Sequence, residues 1–209
     1  MRGVMRIATA DAVIEIREEP WSELRWYIAV PSVFESPTIL DVLEREEGLA
    51  LQERQLDQPY RKNYDAVEDP LEWPARFDVS SWAMFAAFDS GERIGGAVVA
   101  FDSPGVEILE GRSDLSVLWD IRVSGGAHRR GVGSALFHVV ESWAVAKHCR
   151  ELKVETQNTN VAACRFYERQ GCHLTQANRS AYPHLPNEIQ LIWSKPFTHN
   201  KRMQRARYG

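Results

Sequence analysis

The sequence predicts an α/β protein built on one mixed sheet, and three stretches carry that expectation. Residues 82–88 (Trp-Ala-Met-Phe-Ala-Ala-Phe) and 94–101 (Ile-Gly-Gly-Ala-Val-Val-Ala-Phe) are apolar runs, joined by Asp89-Ser90-Gly91-Glu92, whose turn chemistry makes them a hairpin. Residues 116–123 (Ser-Val-Leu-Trp-Asp-Ile-Arg-Val) read as a central strand that runs into glycines and then an amphipathic helix. A short strand at 152–156 leads into a second helix and a closing strand at 188–194. The order is hairpin, strand, glycine loop, helix, strand, helix, strand. A doubly wound nucleotide fold would alternate more regularly.

Each element has its own signal. Residues 10–18 partly alternate and suggest an opening strand. Residues 20–80 mix charges and prolines with Trp21, Trp26, Tyr27, Phe34, Tyr60, Tyr64, Trp73 and Phe77, and one helix is expected there, from Ile39 to Leu51. After strand 116–123, Gly125-Gly126 and Gly131-x-Gly133 break the chain. Leu136, Val139, Val140 and Trp143 then recur at helical spacing. Gln157-Asn158-Thr159 leads into the second helix, 160–170, which Gly171 stops in a left-handed conformation. The basic tail Thr198–Gly209 is expected to fray.

Bulk composition narrows the function. A chain of 209 residues is long enough for one domain with a sizeable core. Its formal net charge of -4 argues against a nucleic-acid binder and fits a cationic substrate. Three cysteines (Cys149, Cys164, Cys172) and no secretory leader suggest reduced core thiols in a cytoplasmic protein. No stretch approaches the ~20 apolar residues of a membrane span. With no CxxC, no HExxH and scattered histidines, no metal site is expected.

The chemistry concentrates at residues 128–134: His128, Arg129, Arg130, Gly131, Val132, Gly133 and Ser134. They lie between a strand and a helix start. The unpaired N–H groups and positive dipole end of that first turn bind anions. Gly131 and Gly133 let the backbone approach an anion, and Arg129 and Arg130 add charge, so a diphosphate is the expected guest. The alternative is a plain helix-entry loop. A Walker A loop is excluded because GK[ST] is missing. A dinucleotide fingerprint is excluded because Leu136 stands at its third glycine position.

This strand-loop-helix resembles the signature Gln/Arg-x-x-Gly-x-Gly/Ala of the GNAT superfamily of acetyl-CoA-dependent N-acetyltransferases. Gly131 and Gly133 match, and His128 departs from the Gln/Arg position, leaving one phosphate contact to Arg129 or a protonated His128. The family's second motif appears as Asn160, Ala163, Tyr167 and Gly171, with Cys172 where Phe is usual. The run Glu155–Asn160, then Ala163–Tyr167, together with Asp120-Ile121-x-Val123 and Trp193, is similar to the streptothricin acetyltransferase group of antibiotic-resistance enzymes. That likeness spans residues 82–196.

The resemblance implies a mostly antiparallel sheet, splayed at the cofactor strand and flanked by helices. It implies a single domain over 1–197, with residues 1–80 on the acceptor side and 82–196 forming the core that binds acetyl-CoA. Ile121, Arg122 and Val123 would meet the pantetheine and the acetyl carbonyl, supplying an oxyanion donor from the backbone. Residues 128–134, Asn160, Ala163 and Tyr167 would complete the cofactor contacts.

Three residues are candidates for proton transfer. Tyr167 matches the family tyrosine that protonates the leaving sulfur; the alternative is a core tyrosine on the face of Ala163 and Phe166. An alkylammonium has a pKa near ~10, so its proton needs an acceptor. Asp120, interrupting an apolar strand, is the first choice as base or ammonium anchor, unless it simply pairs with Arg122. Glu155 is the second. Strand alternation is expected to put Leu118, Asp120 and Arg122 on one face. Asn160 caps its helix, meets the cofactor, or does both. Aromatics and acids of residues 17–77, with Trp119 if it faces the cleft, would line the acceptor pocket.

The leading reading is therefore acetyl transfer to a primary amine of a small cationic molecule, with no nucleic-acid or membrane partner and with a monomer or homodimer as the assembly. A protein or peptide amine acetyltransferase and a catalytically silent acyl-CoA-binding module are the alternatives.

Overall fold

The computed structural model describes residues 4–8 and 13–197; the expectation for the tail from Thr198 lies outside them. Eight strands form the main sheet. The chain runs β1 (Val4–Ala8), β2 (Val13–Glu19), α1 (Leu24–Tyr27), β3 (Val33–Arg45), β4 (Gly48–Asn63), α2 (Trp73–Arg76), β5 (Ala83–Asp89) and β6 (Glu92–Phe101). It continues through β7 (Leu115–Val123), α3 (Val132–Ala146), β8 (Glu151–Gln157), α4 (Val161–Arg169), β9 (His173–Asn178) and β10 (Gln190–Pro196). The order across the sheet is β1-β2-β5-β6-β7-β8-β10-β9. Every pairing is antiparallel except β7 with β8, the mixed sheet that the sequence predicts.

The expected helix at Ile39–Leu51 is corrected. These residues form the end of β3, a tight turn at Glu46-Glu47, and the start of β4, a two-stranded sheet of its own. Ile39, Val42, Leu43, Leu49 and Leu51 mimic a helical spacing, but Gly48 sits at φ +122°, which reverses the chain. Thr38, Ile39 and Val42 add β-branched preference for the strand. Strand β9 had no signal: its six residues, His-Leu-Thr-Gln-Ala-Asn, are mostly polar and exposed.

The central strands of the sheet are buried on both faces. On one side α3 and α4 cover it, with Leu136, Val139, Val140, Val161 and Tyr167 packed on Phe85, Leu118 and Val154. On the other, α1, α2 and the loops bring Leu24, Tyr27, Trp73 and Trp82 onto Met84, Val98 and Val117. Gly96 makes the second layer possible: a Cβ there would stand 2.5 Å from the Tyr27 ring. Its missing side chain lets Tyr27 lie flat on β6, beneath the site described next.

Candidate functional site

The site begins where the sheet splits. Strand β8 pairs with β7 only through Leu115–Leu118 against Glu151–Val154, then leaves it. From Trp119 onward the β7 backbone has no strand partner on that side, so its polar groups face a cleft of about 820 Å³. A bulge in β7 marks the split, because Val99 pairs with Leu118 but Val98 with Asp120.

The extra residue corrects the expected strand alternation. Leu118 packs on the α3/α4 side with Ile121 and Val123. Trp119 packs on the opposite side, with Val117. Asp120 and Arg122 keep a common face, as expected, but without Leu118. A bulge is invisible to period-2 counting because the inserted residue shifts every later side chain by one.

At one end of the cleft stands the start of α3. Gly131 caps the helix at φ +82°, where glycine is favoured, and no side chain caps its first turn. Residues 127–129 and 131–134 line the cleft, as does Arg169 of α4. The open N–H groups and cationic side chains of Arg129 and Arg169 suit a phosphate-bearing ligand. His128 turns its Nε2 onto the Val123 carbonyl at 2.9 Å. Arg130 points elsewhere: it pairs with Asp89 at 2.5 Å and is not among the lining residues. A Cβ at Gly133 would meet the Phe166 ring at 3.4 Å, an ordinary van der Waals contact. Ser134 accepts from Gln170 at 3.0 Å.

Tyr167 lies on α4 with its ring buried against Phe166, 5.4 Å between centroids. It nonetheless lines the cleft, and none of the hydrogen bonds among the described residues uses its hydroxyl. Burial, with the nearby Tyr64 hydroxyl and the Asp120 charge, pushes the phenol well above its usual range. It stays protonated at neutral pH. Asn160 caps α4 by accepting from the Ala163 N–H at 3.1 Å and gives its amide to Tyr64 at 3.3 Å. Ala163 lines the cleft beside it.

The other end is acidic. Asp120 Oδ2 accepts from Arg122 Nη2 at 2.7 Å, and its Oδ1 accepts from Arg122 Nε at 3.0 Å and from Tyr27 at 2.6 Å. Arg122 is 1% exposed and also meets Asp65 at 3.0 Å and the Val30 carbonyl at 3.0 Å. Its side chain is therefore spent inside this cluster. Burial acts to lower the Arg122 pKa, but Asp120, with Tyr27 and Asp65 beside it, more than offsets that and holds it above its ordinary value. Glu155 differs. Its oxygens accept from the Tyr182 hydroxyl and from Gln190 at 2.8 Å, and among the described residues no cation is bonded to it. Five carboxylates (Asp65, Glu68, Asp120, Glu155, Glu188) meet three cations (Lys62, Arg76, Arg122) at this end, an excess of two negative charges.

Of the aromatics, Phe34, Tyr64, Trp73 and Trp119 line the cleft, while Tyr27 and Trp82 are core and Trp26 is exposed. Sequence reasoning missed Arg169, Gln157 and Tyr182 as lining residues. Arg169 follows Tyr167 by two on an exposed helix end, and Tyr182 lies in an irregular loop; neither has a spacing signal. Among the described residues no cluster of histidine, cysteine and carboxylate side chains could hold a metal ion, and no helix is long and apolar enough to cross a membrane.

Comparison with known proteins places this geometry among relatives. Residues 48–172 match the model of the Acetyltransferase (GNAT) family. Over 94 residues the chain is 31% identical to streptothricin acetyltransferase A of Bacillus subtilis (strain 168), 44% of this chain and 54% of that protein, so the match spans about half of that relative. Over 158 residues it is 27% identical to a streptothricin acetyltransferase of Escherichia coli, 74% of this chain and 80% of that protein. Two solved structures share the fold. Nourseothricin acetyltransferase superposes with a TM-score of 0.68 at 23% identity, over 88% of this chain and 98% of that one. A Bacillus anthracis str. Ames protein of the streptothricin acetyltransferase type, solved with acetyl coenzyme A, superposes with 0.72 at 22% identity, over 88% and 99%.

Proposed function

The chain belongs to the acetyltransferase (GNAT) family, whose acetyl donor is acetyl-CoA, and on that premise we propose that residues 1–197 form one domain that acetylates a primary amine of a small cationic molecule. A streptothricin-like antibiotic is the favoured acceptor, since two curated relatives carry that activity in their names. The observation that carries the reading is the polarity of the cleft. Cations and open helix N–H groups stand at one end, an excess of carboxylates stands at the other, and the Tyr167 phenol, unbonded among the described residues, lies in the same cleft.

The donor fits this chain on structural grounds. The uncapped first turn of α3 offers N–H groups to a diphosphate, with Arg129 and Arg169 beside it. The β7 edge from Trp119 to Val123 has no strand partner toward β8 and suits a peptide-like pantetheine arm. When bound, acetyl-CoA supplies an activated acetyl thioester.

The residues divide the remaining work. The acidic end attracts the protonated amine, and the aromatic walls cover its apolar body. Glu155, the cleft carboxylate with no cation bonded to it among the described residues, takes a proton from the ammonium so that the nitrogen lone pair can attack. An N–H of the free β7 edge stabilises the oxyanion. As the carbon–sulfur bond breaks, Tyr167 gives its proton to sulfur and regains one from the former amine nitrogen, which carries one proton too many after attack, so the products are a neutral amide and the free thiol. Asp120, already filled by Arg122 and Tyr27, acts as a fixed negative charge beneath the amine.

A thiol-release assay with acetyl-CoA across an amine panel tests the proposal. Turnover on streptothricin and other small polycationic amines, with none on short peptides, is expected. Turnover confined to peptides would overturn the acceptor assignment. Failure to bind acetyl-CoA at micromolar protein would overturn the donor assignment.

A further inference from the structure

A one-way chain of hydrogen bonds crosses the cleft and ends on Glu155. It starts at a fixed donor, the Ala163 backbone N–H, which binds Asn160 Oδ1 at 3.1 Å. That contact orients the Asn160 amide, so its Nδ2 must donate onward, to Tyr64 Oη at 3.3 Å. Tyr64 then donates to Gln157 Oε1 at 2.6 Å, which turns Gln157 Nε2 toward Tyr182 Oη at 2.8 Å. Tyr182, having accepted, donates to Glu155 Oε1. Each link fixes the direction of the next because an amide or hydroxyl that accepts on one side donates on the other.

We infer that Tyr182 is the positioning residue for Glu155, held in its donating direction by Gln157, Tyr64 and the cap of α4. The inference rests on the reading of Glu155 as the proton acceptor. All five residues from Asn160 to Glu155 line the cleft. The amide of Gln157 stands in the middle of the chain and does not pass protons as a hydroxyl does, so the chain orients the carboxylate and does not drain it. The proton taken by Glu155 leaves to solvent through the open cleft. The chain also joins three separate parts of the sequence: the residue after β4, strand β8 with the α4 cap, and the loop before β10. Tyr182 therefore contributes from outside the recognised motifs.

Steady-state kinetics over a pH series, on the full chain with its best amine, tests this with three variants. Tyr182→Phe is expected to lower kcat/KM for the amine about ten- to a hundredfold, the range for a hydrogen bond to a charged group. Its acidic limb should move to higher pH, because the lost donor favoured the ionised carboxylate, while acetyl-CoA affinity stays as in the wild type. Tyr64→Phe, two links upstream, should move rate and limb in the same direction by less. Glu155→Gln should abolish the acidic limb. A wild-type rate and pH profile in Tyr182→Phe, beside a slow Glu155→Gln, overturns this inference and leaves the Glu155 reading intact. Full turnover in Glu155→Gln overturns that reading instead. If Tyr182→Phe fails to fold, an unshifted limb in Tyr64→Phe overturns the inference.

Discussion

Asp120 and Arg122 lie two residues apart on β7 and grip each other through two hydrogen bonds, at 2.7 and 3.0 Å. The geometry follows from the bulge: both side chains leave the strand on the acceptor side, directly after the point where β8 departs. Arg122 is almost wholly buried and depends on Asp120 and Asp65 for its counter-charge. This pairing supports the proposal of Glu155 over Asp120 as proton acceptor, because Asp120 is saturated with donors and Glu155 has no bonded cation among the described residues.

Replacing Asp120 should therefore damage the fold before it alters the proton chemistry. Asp120→Asn is expected to cost about 3 kcal/mol of stability, near the low end for stripping a buried ion pair, because Asp65 remains. Urea unfolding at constant slope measures the loss. The acidic limb of its kcat/KM profile should coincide with that of the wild type; a limb that vanishes would make Asp120 the base.

Tyr167→Phe should behave in the opposite way. The hydroxyl makes no hydrogen bond among the described residues, so little stability depends on it. Loss of a general acid is expected to reduce kcat by about 10²–10⁴-fold, with acetyl-CoA affinity unchanged by calorimetry. The sign of the pH effect follows from the raised phenol. A tyrosine pushed well above its ordinary 10.0 stays protonated as pH rises, so it sets no basic limb below that value. A wild-type kcat in this variant would remove Tyr167 from the chemistry.

Gly131 tests the donor end. An alanine at φ +82° is strained by about 1–2 kcal/mol and would tilt the first N–H groups of α3. Gly131→Ala should raise the Kd for acetyl-CoA at least severalfold, with the amine KM little changed. An unaltered Kd would show that this turn does not hold the phosphates.

What the sequence could disclose here depended on the range of the interaction. The hairpin 83–101, the glycine loop, α3, and the Asn160 and Gly171 ends of α4 are local events, legible from apolar runs, glycines and caps within a few residues. The motif residues Gly131, Asn160 and Tyr167 all line the cleft or cap its helices for the same reason. The bulge at Trp119 was hidden because it exists only relative to β6. The β3–β4 hairpin was hidden because its apolar spacing fits both periods, and only Gly48 and long-range hydrogen bonds to the body, such as Leu40 with Asn158, settle it. Tyr182 reached the site through a contact 27 residues distant, and no window on the sequence covers that.

The hairpin's attachment to the body makes the last test. Lys62, 8% exposed on β4, binds Glu188 at 2.5 Å, and Glu188, 1% exposed, also accepts from Tyr60. This buried pair pins β4 to the loop that carries Tyr182. Lys62→Met leaves Glu188 uncompensated and should cost about 3–5 kcal/mol, read from chemical unfolding. Adding Glu188→Gln removes the stranded charge, so the double variant should recover much of that loss, and the interaction energy of the cycle isolates the pair. Activity separates two consequences. If the pair also sets the Tyr182 loop, the double variant regains stability but stays slow on the amine, with normal acetyl-CoA affinity. A double variant as fast as the wild type would confine the pair to holding the hairpin.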